Sequence, residues 1–397
     1  MDGSDDTSTT LRPQKMDLSD TDNELKVIVD GVIYKRNPHG GISRVFSEIL
    51  PRMCEMDKSL RIELLTVGKM KQGLPSHSRI FYHTIPDIER YMRPRRGWKH
   101  IVPTAERLVR RLWVGRGEGQ IWHSTYYTLP GRWDGLQVVT VHDMVHERFA
   151  DIYHMPGHDD QFREQKRRCV MRSDAAICVS EATRQDLLHF YGIKSDSIYV
   201  VPLGCSDVFR QLKQCDDRLG IATKRPFLLF IGGRYPHKNF NGLIQAYNLW
   251  AHREEVALVV VGNPWSGDEE KRFAELGIRD RVYLLTEVDD ETLCYLFNQA
   301  SAFVYPSLYE GFGIPLLEAM TCGCPIIASR IPSTIEVAGG CPIYFELTEV
   351  DSLVNAFDVA LSEGRDSERV RSGIERVKRY SWDRVAAQTL EVYRTLL

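Results

Sequence analysis

The sequence predicts an α/β protein made of two doubly wound domains that face each other across a cleft. Three observations predict it. The chain has 397 residues, more than one ordinary core accommodates. Short apolar runs recur along it, and most are continuous rather than alternating, as strands covered on both faces are. Segments with helical spacing separate these runs, and strand–helix alternation implies parallel sheets.

The predicted strands of the first half are 26–29, 61–67, 120–123, 138–141, 175–179 and 198–202. Those of the second half are 227–231, 257–261, 282–285, 302–305 and 325–328. Helical spacing is clearest at 240–250, 291–299 and 316–321. The polar stretch 206–224 breaks this rhythm. It divides a first domain, 25–206, from a second, 225–381, with 207–224 as the linker. No sequence repeat relates the halves. Ligands of such sheets bind outside the carboxyl ends of the strands.

Composition narrows the function classes. Hydrophobic residues make up 43% and charged residues 26%, with a net charge of −3. That balance suits a globular protein and gives no overall drive toward nucleic acid or membrane. The nine cysteines are odd in number and scattered, which implies reduced thiols. Cys322 and Cys324, one glycine apart, read as filler around a tight turn. Residues 1–24 form an Asp/Ser/Thr-rich tail that cannot build a core. The tail lacks the apolar centre of a signal peptide, and no apolar run reaches the roughly 20 residues of a membrane helix. A cytoplasmic location is therefore expected.

The segment 309–329, YEGFGIPLLEAMTCGCPIIAS, carries the most information. It reads as a Gly-rich turn after a strand, then a helix, then another strand. Gly311 and Gly313 leave the backbone open to close approach. Pro315 suits a first helical turn. Such a helix start accepts a diphosphate, and the carboxylates of Glu310 and Glu318 accept from sugar or ribose hydroxyls. Alone, Glu318 reads as stabilising a helix start through its dipole. Two glutamates around two glycines and a proline point instead to a ligand.

Glu310-Gly311-Phe312-Gly313, followed by Glu318 with seven residues between the glutamates, resembles the EX7E motif of family 4 glycosyltransferases. The resemblance runs from about Leu25 to Leu397. It implies the GT-B fold, retention of anomeric configuration and no metal requirement. It assigns donor-sugar hydroxyls to Glu310 and the nucleotide ribose to Glu318. The amides of Phe312, Gly313 and Ile314 would face sugar and phosphate. The sequence itself shows no Asp-x-Asp at a strand end and no cluster with metal spacing. No cofactor is expected beyond the donor substrate.

The turn in 227–243, FLLFIGGRYPHKNFNGL, carries Arg234 and Lys238. Fixed cations stabilise a departing diphosphate, and Arg and Lys suit that task differently. Two surface charges on a solvated turn is the plain alternative; the neighbouring glutamate motif and the resemblance favour phosphate. His237 reads as a turn residue. In the first domain, 27–50 gives a strand, a Gly40-Gly41 loop and a helix with Arg44. The resemblance assigns Gly41 to the donor and leaves Arg44 on the acceptor side. His142 and Asp143 end the strand 138–141, where a histidine can donate to a sugar hydroxyl or to developing charge. The resemblance makes His142 a site residue, with Asp143 orienting it or touching acceptor; His146 is the weaker companion.

From Arg90 to Arg116 there are nine basic residues and one acid, Glu106. Leu108, Val109, Leu112 and Trp113 are interleaved. The stretch reads equally as a solvated face and as a helix lying on an anionic membrane. No nucleic-acid motif accompanies it. The segment 382–397 is helical, with Ser381 as its cap. It resembles the last GT-B helix, which crosses back onto the first domain.

The expected activity is retaining transfer of a hexose from a nucleotide-diphosphate sugar to a glycan or lipid-linked glycan, as in cell-surface polysaccharide or O-antigen synthesis. Mannose is suggested by general similarity alone. Rival readings are a nucleotide-sugar epimerase, a phosphorylase, or an inactive nucleotide-sugar-binding partner subunit. A dinucleotide oxidoreductase is disfavoured, because no GxGxxG follows an opening strand.

Overall fold

The computed structural model describes residues 24–38, 40–68, 73–87, 116–153, 159–213 and 225–397. The tail 1–23, most of the linker and the basic stretch up to residue 115 lie outside these.

Two parallel sheets form the scaffold. The first has seven strands in the order β3-β2-β1-β4-β5-β6-β7. They are β1 Leu25–Asp30, β2 Leu60–Val67, β3 Ile80–Ile85, β4 Ile121–Ser124, β5 Leu136–Val141, β6 Ala175–Cys178 and β7 Ile198–Val200. The second has six strands in the order β10-β9-β8-β11-β12-β13. They are β8 Phe227–Ile231, β9 Ala257–Val261, β10 Val282–Leu285, β11 Ala302–Tyr305, β12 Ile326–Ser329 and β13 Ile343–Phe345. Strand order reverses beside β1 and beside β8, which opens a crevice above each sheet. The central strands are buried end to end, as VVTV, AAIC, LLF and AFVY are along β5, β6, β8 and β11.

The expected counts of six and five strands become seven and six. The two additions, β3 and β13, are edge strands. β3, IFYHTI, buries only its two terminal residues. His83 and Thr84 interrupt its apolar run, which hides it from a search for continuous apolar runs. β13 has three residues and follows a Gly-Gly-Cys-Pro turn.

The Trp382–Leu396 helix returns from the second sheet to pack on the Gly41–Met56 helix of the first. Ser381 caps it by accepting from the Arg384 amide. Tyr393 is fully buried, and its hydroxyl lies 2.5 Å from His123 Nδ1 at the end of β4. Arg394 pairs with Asp57 at 2.9 Å, and Arg52 with Asp383 at 3.0 Å. One continuous apolar cluster therefore runs through both lobes, from Phe46 and Ile177 to Leu229, Leu317 and Tyr393. Among the described residues no helix is long and apolar enough to cross a membrane.

Candidate active site

The Glu310–Glu318 segment forms the junction expected of it. β11 ends at Tyr305, and the Ile314–Thr321 helix begins after Gly313, whose φ of 118° disfavours any side chain. Glu310 Oε1 accepts from Lys238 Nζ at 2.6 Å and from Ser307 Oγ at 2.5 Å. Lys238 comes from the Pro236–Lys238 turn that follows β8. The two charges are thus brought together from loops 72 residues apart.

Glu318 lies one turn into its helix and is 4% exposed. Its Oε1 accepts from Arg44 Nη1 of the first lobe at 2.8 Å. Arg44 also bonds Asp290, so one guanidinium spans the gap between two second-lobe carboxylates. Burial pushes the Glu318 carboxyl up to about 7; Arg44 opposes the shift and Asp290 adds to it. Arg44, expected on the acceptor side, is held here by Glu318 and Asp290 of the second lobe. It sits on the first turn of the Gly41–Met56 helix, whose start faces the start of the Ile314–Thr321 helix. There a Cβ on Gly41 would lie 3.8 Å from Ile314 Cδ1. Gly41 thus meets the junction from the opposite wall.

Gly311 is one point where the lobes touch. A Cβ there would fall 1.8 Å from the His142 carbonyl oxygen, so only glycine fits. The Gly311 carbonyl accepts from Ser180 Oγ at 2.5 Å and from Thr183 Oγ1 at 3.0 Å. Phe312 turns inward, 4% exposed, with its ring edge-on to Tyr380. Its side chain is core, which leaves only its backbone for a ligand.

His142 follows β5 and packs edge-on to Phe46. Its Nε2 is buried and meets no hydrogen-bond partner among the described residues. Burial pushes this imidazole down to about 4, against the pull of Asp143, so it is neutral near pH 7. Asp143 is half-buried. Burial resists its ionisation, but the Lys166 charge and the Val145 amide outweigh that and hold it below its usual range. Lys166 is fully buried and donates to the Asp143 carbonyl at 2.6 Å and to Glu147 at 2.8 Å. His146 Nδ1 is likewise buried without a partner among the described residues.

Arg234 is not joined to Glu310 or Lys238. Glu269 holds it through Nε and, at 3.1 Å, through Nη2. The carbonyls of Asn263 and Pro264 accept from its Nη1 and Nη2 at 2.9 and 2.7 Å. Trp265 lies under the guanidinium at 4.6 Å. The cause is the neighbouring Gly262 turn, which lets the guanidinium approach within 3.2 Å of where a Cβ would stand.

Several residues at the site carry no sequence signal of their own. Tyr309 accepts the Met144 amide at 2.9 Å. Glu336 accepts the amides of Glu181 and Ala182 at 2.7 and 2.9 Å, from the opposite lobe. Asp290 and Lys166 belong with them. Ser180 caps the Glu181–Tyr191 helix, and its bond to Gly311 spans 131 positions.

Residues 39–207 match the family described as Glycosyltransferase Family 4, and residues 213–376 that described as Glycosyl transferases group 1. The O-antigen chain mannosyltransferase B of Escherichia coli is 30% identical over 305 residues, covering 72% of this chain and 77% of that protein. This chain is a family 4 glycosyltransferase. The MMP alpha-(1->4)-mannosyltransferase of Mycolicibacterium hassiacum is 33% identical over 239 residues, 58% of this glycosyltransferase and 56% of that protein. Sucrose-phosphate synthase from Thermosynechococcus elongatus shares the GT-B fold, with a TM-score of 0.77 at 18% identity over 94% of this chain and 99% of that one. The two-sheet glycosyltransferase scaffold therefore extends over the whole described chain.

Proposed function

We propose that this glycosyltransferase moves mannose from a nucleotide-diphosphate sugar to a growing glycan or lipid-linked glycan, with retention and without a metal, in cell-surface polysaccharide synthesis. One observation carries the reading: Lys238–Glu310 and Arg44–Glu318 converge on the glycine-opened start of the Ile314–Thr321 helix. The mannosyl and O-antigen parts draw support from the names of the relatives above.

In this reading the diphosphate lies over the helix start, where first-turn amides have no partner within the helix. Gly41 and the amides of Phe312, Gly313 and Ile314 leave room for it. Glu310 takes donor-sugar hydroxyls and Glu318 the ribose, in place of Arg44. The acceptor oxygen replaces the phosphate oxygen at the anomeric carbon. The nucleoside diphosphate leaves, and Lys238 meets its growing negative charge. Arg234 joins Lys238 by exchanging the Glu269 carboxylate for phosphate oxygens, one anionic partner for another. His142 stays neutral and offers Nε2 to a sugar hydroxyl, with Asp143 beside it. The basic stretch from Arg90 to Arg116 would bring the enzyme to an anionic membrane that carries the acceptor.

A panel of nucleotide sugars, GDP-mannose first, tests the reading by release of nucleoside diphosphate in the presence of EDTA and by NMR of the product anomer. Glu310→Gln and Lys238→Ala should each lower kcat on the order of a hundredfold with an intact fold. Full activity in both variants, EDTA sensitivity, or an inverted anomer overturns the corresponding part.

A further inference from the structure

The turn that carries His142 is anchored by a lysine that the reading above does not use. Lys166 lies on the Asp159–Arg172 helix, which packs against β5 in the first lobe, and its side chain is fully buried. Its ammonium donates to the Asp143 carbonyl at 2.6 Å and to Glu147 Oε2 at 2.8 Å, and stands 5.2 Å from the centre of the Tyr127 ring. Glu147 Oε1 accepts in turn from the Tyr191 hydroxyl at 2.6 Å. We infer that Lys166 is a positioning residue for the transfer step: by fixing the Asp143 carbonyl it holds the His142–Met144 turn, and through it the His142 imidazole. The inference deepens the glycosyl-transfer reading and rests on it for the part that His142 plays.

Stability does not account for the arrangement. Withdrawing an ammonium and a carboxylate from water is costly, and apolar side chains of the same volume often serve stability as well or better. Lysine is almost never fully buried without a partner. What an apolar side chain cannot do is aim a charged donor at a backbone carbonyl from a fixed place.

The other contacts of the turn show what Lys166 adds. β5 ends at Val141, so residues 142–144 leave the ladder of the sheet. The His142 carbonyl packs on Gly311, and the Met144 amide donates to the Tyr309 hydroxyl at 2.9 Å. Both partners belong to the second lobe and hold the turn only while the lobes touch. The Val145 amide donates to Asp143 Oδ1 at 3.1 Å, a link within the turn that ties it to no neighbour. Lys166 grips the residue between His142 and Met144 from inside the first lobe, independently of the second. The turn so held sets where His142 Nε2 stands, a nitrogen without a partner among the described residues.

The ammonium also acts through its charge. Burial is the largest influence on the His142 imidazole and the Asp143 carboxyl, and the Lys166 charge pushes both down. It thereby favours a neutral His142 beside an ionised Asp143.

The test is a double-variant cycle on the full chain, using the nucleotide sugar that the panel above selects. Lys166→Met, similar in length and uncharged, should lower kcat about tenfold by misplacing His142. The Kd of the corresponding nucleoside diphosphate, which His142 does not touch in this reading, should move less than about twofold. In a His142→Ala background the same change should cost less than about twofold in kcat. Additive losses would show that Lys166 does not act through His142 and would overturn the inference. Lys166→Met also leaves Glu147 buried without its cation, so Lys166→Met/Glu147→Gln separates stability from positioning. Its melting temperature should recover toward wild type while its kcat stays low; recovery of both would reduce Lys166 to half of an ion pair and overturn the inference. Amide exchange at Met144 and Val145, read without donor, should be faster in both Lys166 variants, and unchanged exchange would overturn the inference too. Full turnover in His142→Ala would defeat the transfer role of His142 and this inference with it. Failure of every nucleotide sugar to turn over, with exchange still dependent on Lys166, would defeat the transfer reading rather than the anchoring of the turn.

Discussion

Burial sets opposite pH signs on two residues of the cleft. The His142 and His123 imidazoles are pushed down to about 4 and about 3 by desolvation, far below the 6.5 of a free imidazole. Below about pH 6.5 the unfolded chain binds protons that the folded chain refuses, so this contribution to stability is lost as pH falls toward 4. In His142→Asn the melting temperature should drop less than in wild type between about pH 7 and about pH 5; parallel drops would refute the burial account. Glu318 behaves the other way. Its folded carboxyl titrates at about 7 against 4.5 when free, so the folded chain holds the extra proton. Its contribution is favourable at low pH and is lost as pH rises toward 7. Glu318→Gln should therefore gain stability relative to wild type between about pH 5 and about pH 8 by calorimetry, and no gain would show that Arg44 compensates the buried charge fully. The residues behind these effects were unequally legible. Glu310, Gly311, Gly313 and Glu318 stand within nine positions and spell out their junction in the sequence. Arg44 meets Glu318 across 274 positions and Asp290 across 246, a pairing no local pattern announces.

At the scale of elements, the second lobe supplies part of a first-lobe helix terminus. The Glu181–Tyr191 helix has Ser180 as its cap, and its first amides point at the Glu336 carboxylate of the Pro332–Ala338 helix. A carboxylate at that end satisfies two orphan donors and complements the helix dipole. Glu336→Ala should cost about 1 kcal/mol. It should also speed amide exchange at Glu181 and Ala182, and unchanged exchange there would show that water replaces Glu336 without loss. Buried central strands could be read from their continuous apolar runs because helices cover both faces. Edge strands could not, since β3 exposes the successive Phe81 and Tyr82 and buries only its ends. The Trp382–Leu396 helix was legible from Ser381 and its apolar spacing, whereas its partner His123 was not.

For the whole molecule, the described contacts hold the lobes against each other. Arg44 reaches Glu318 and Asp290, Glu336 reaches the Glu181–Tyr191 helix, and Tyr309 takes the Met144 amide. Under the proposed ribose role of Glu318, only the first of these would have to break; the others remain available. Donor binding should therefore exchange one bridge for another rather than close an open cleft. The double variant Arg44→Ala/Glu336→Ala removes one bridge on each side of Gly311. Its radius of gyration by X-ray scattering should exceed that of wild type, and a saturating nucleoside diphosphate should reverse part of the increase. In the proposed reading the nucleotide would contact both Gly41 and the Ile314–Thr321 helix start, and so would favour the closed form by its differential affinity for it. Scattering identical to wild type would mean that the apolar cluster running from Phe46 to Leu317 and Tyr393 holds the lobes without help from either bridge.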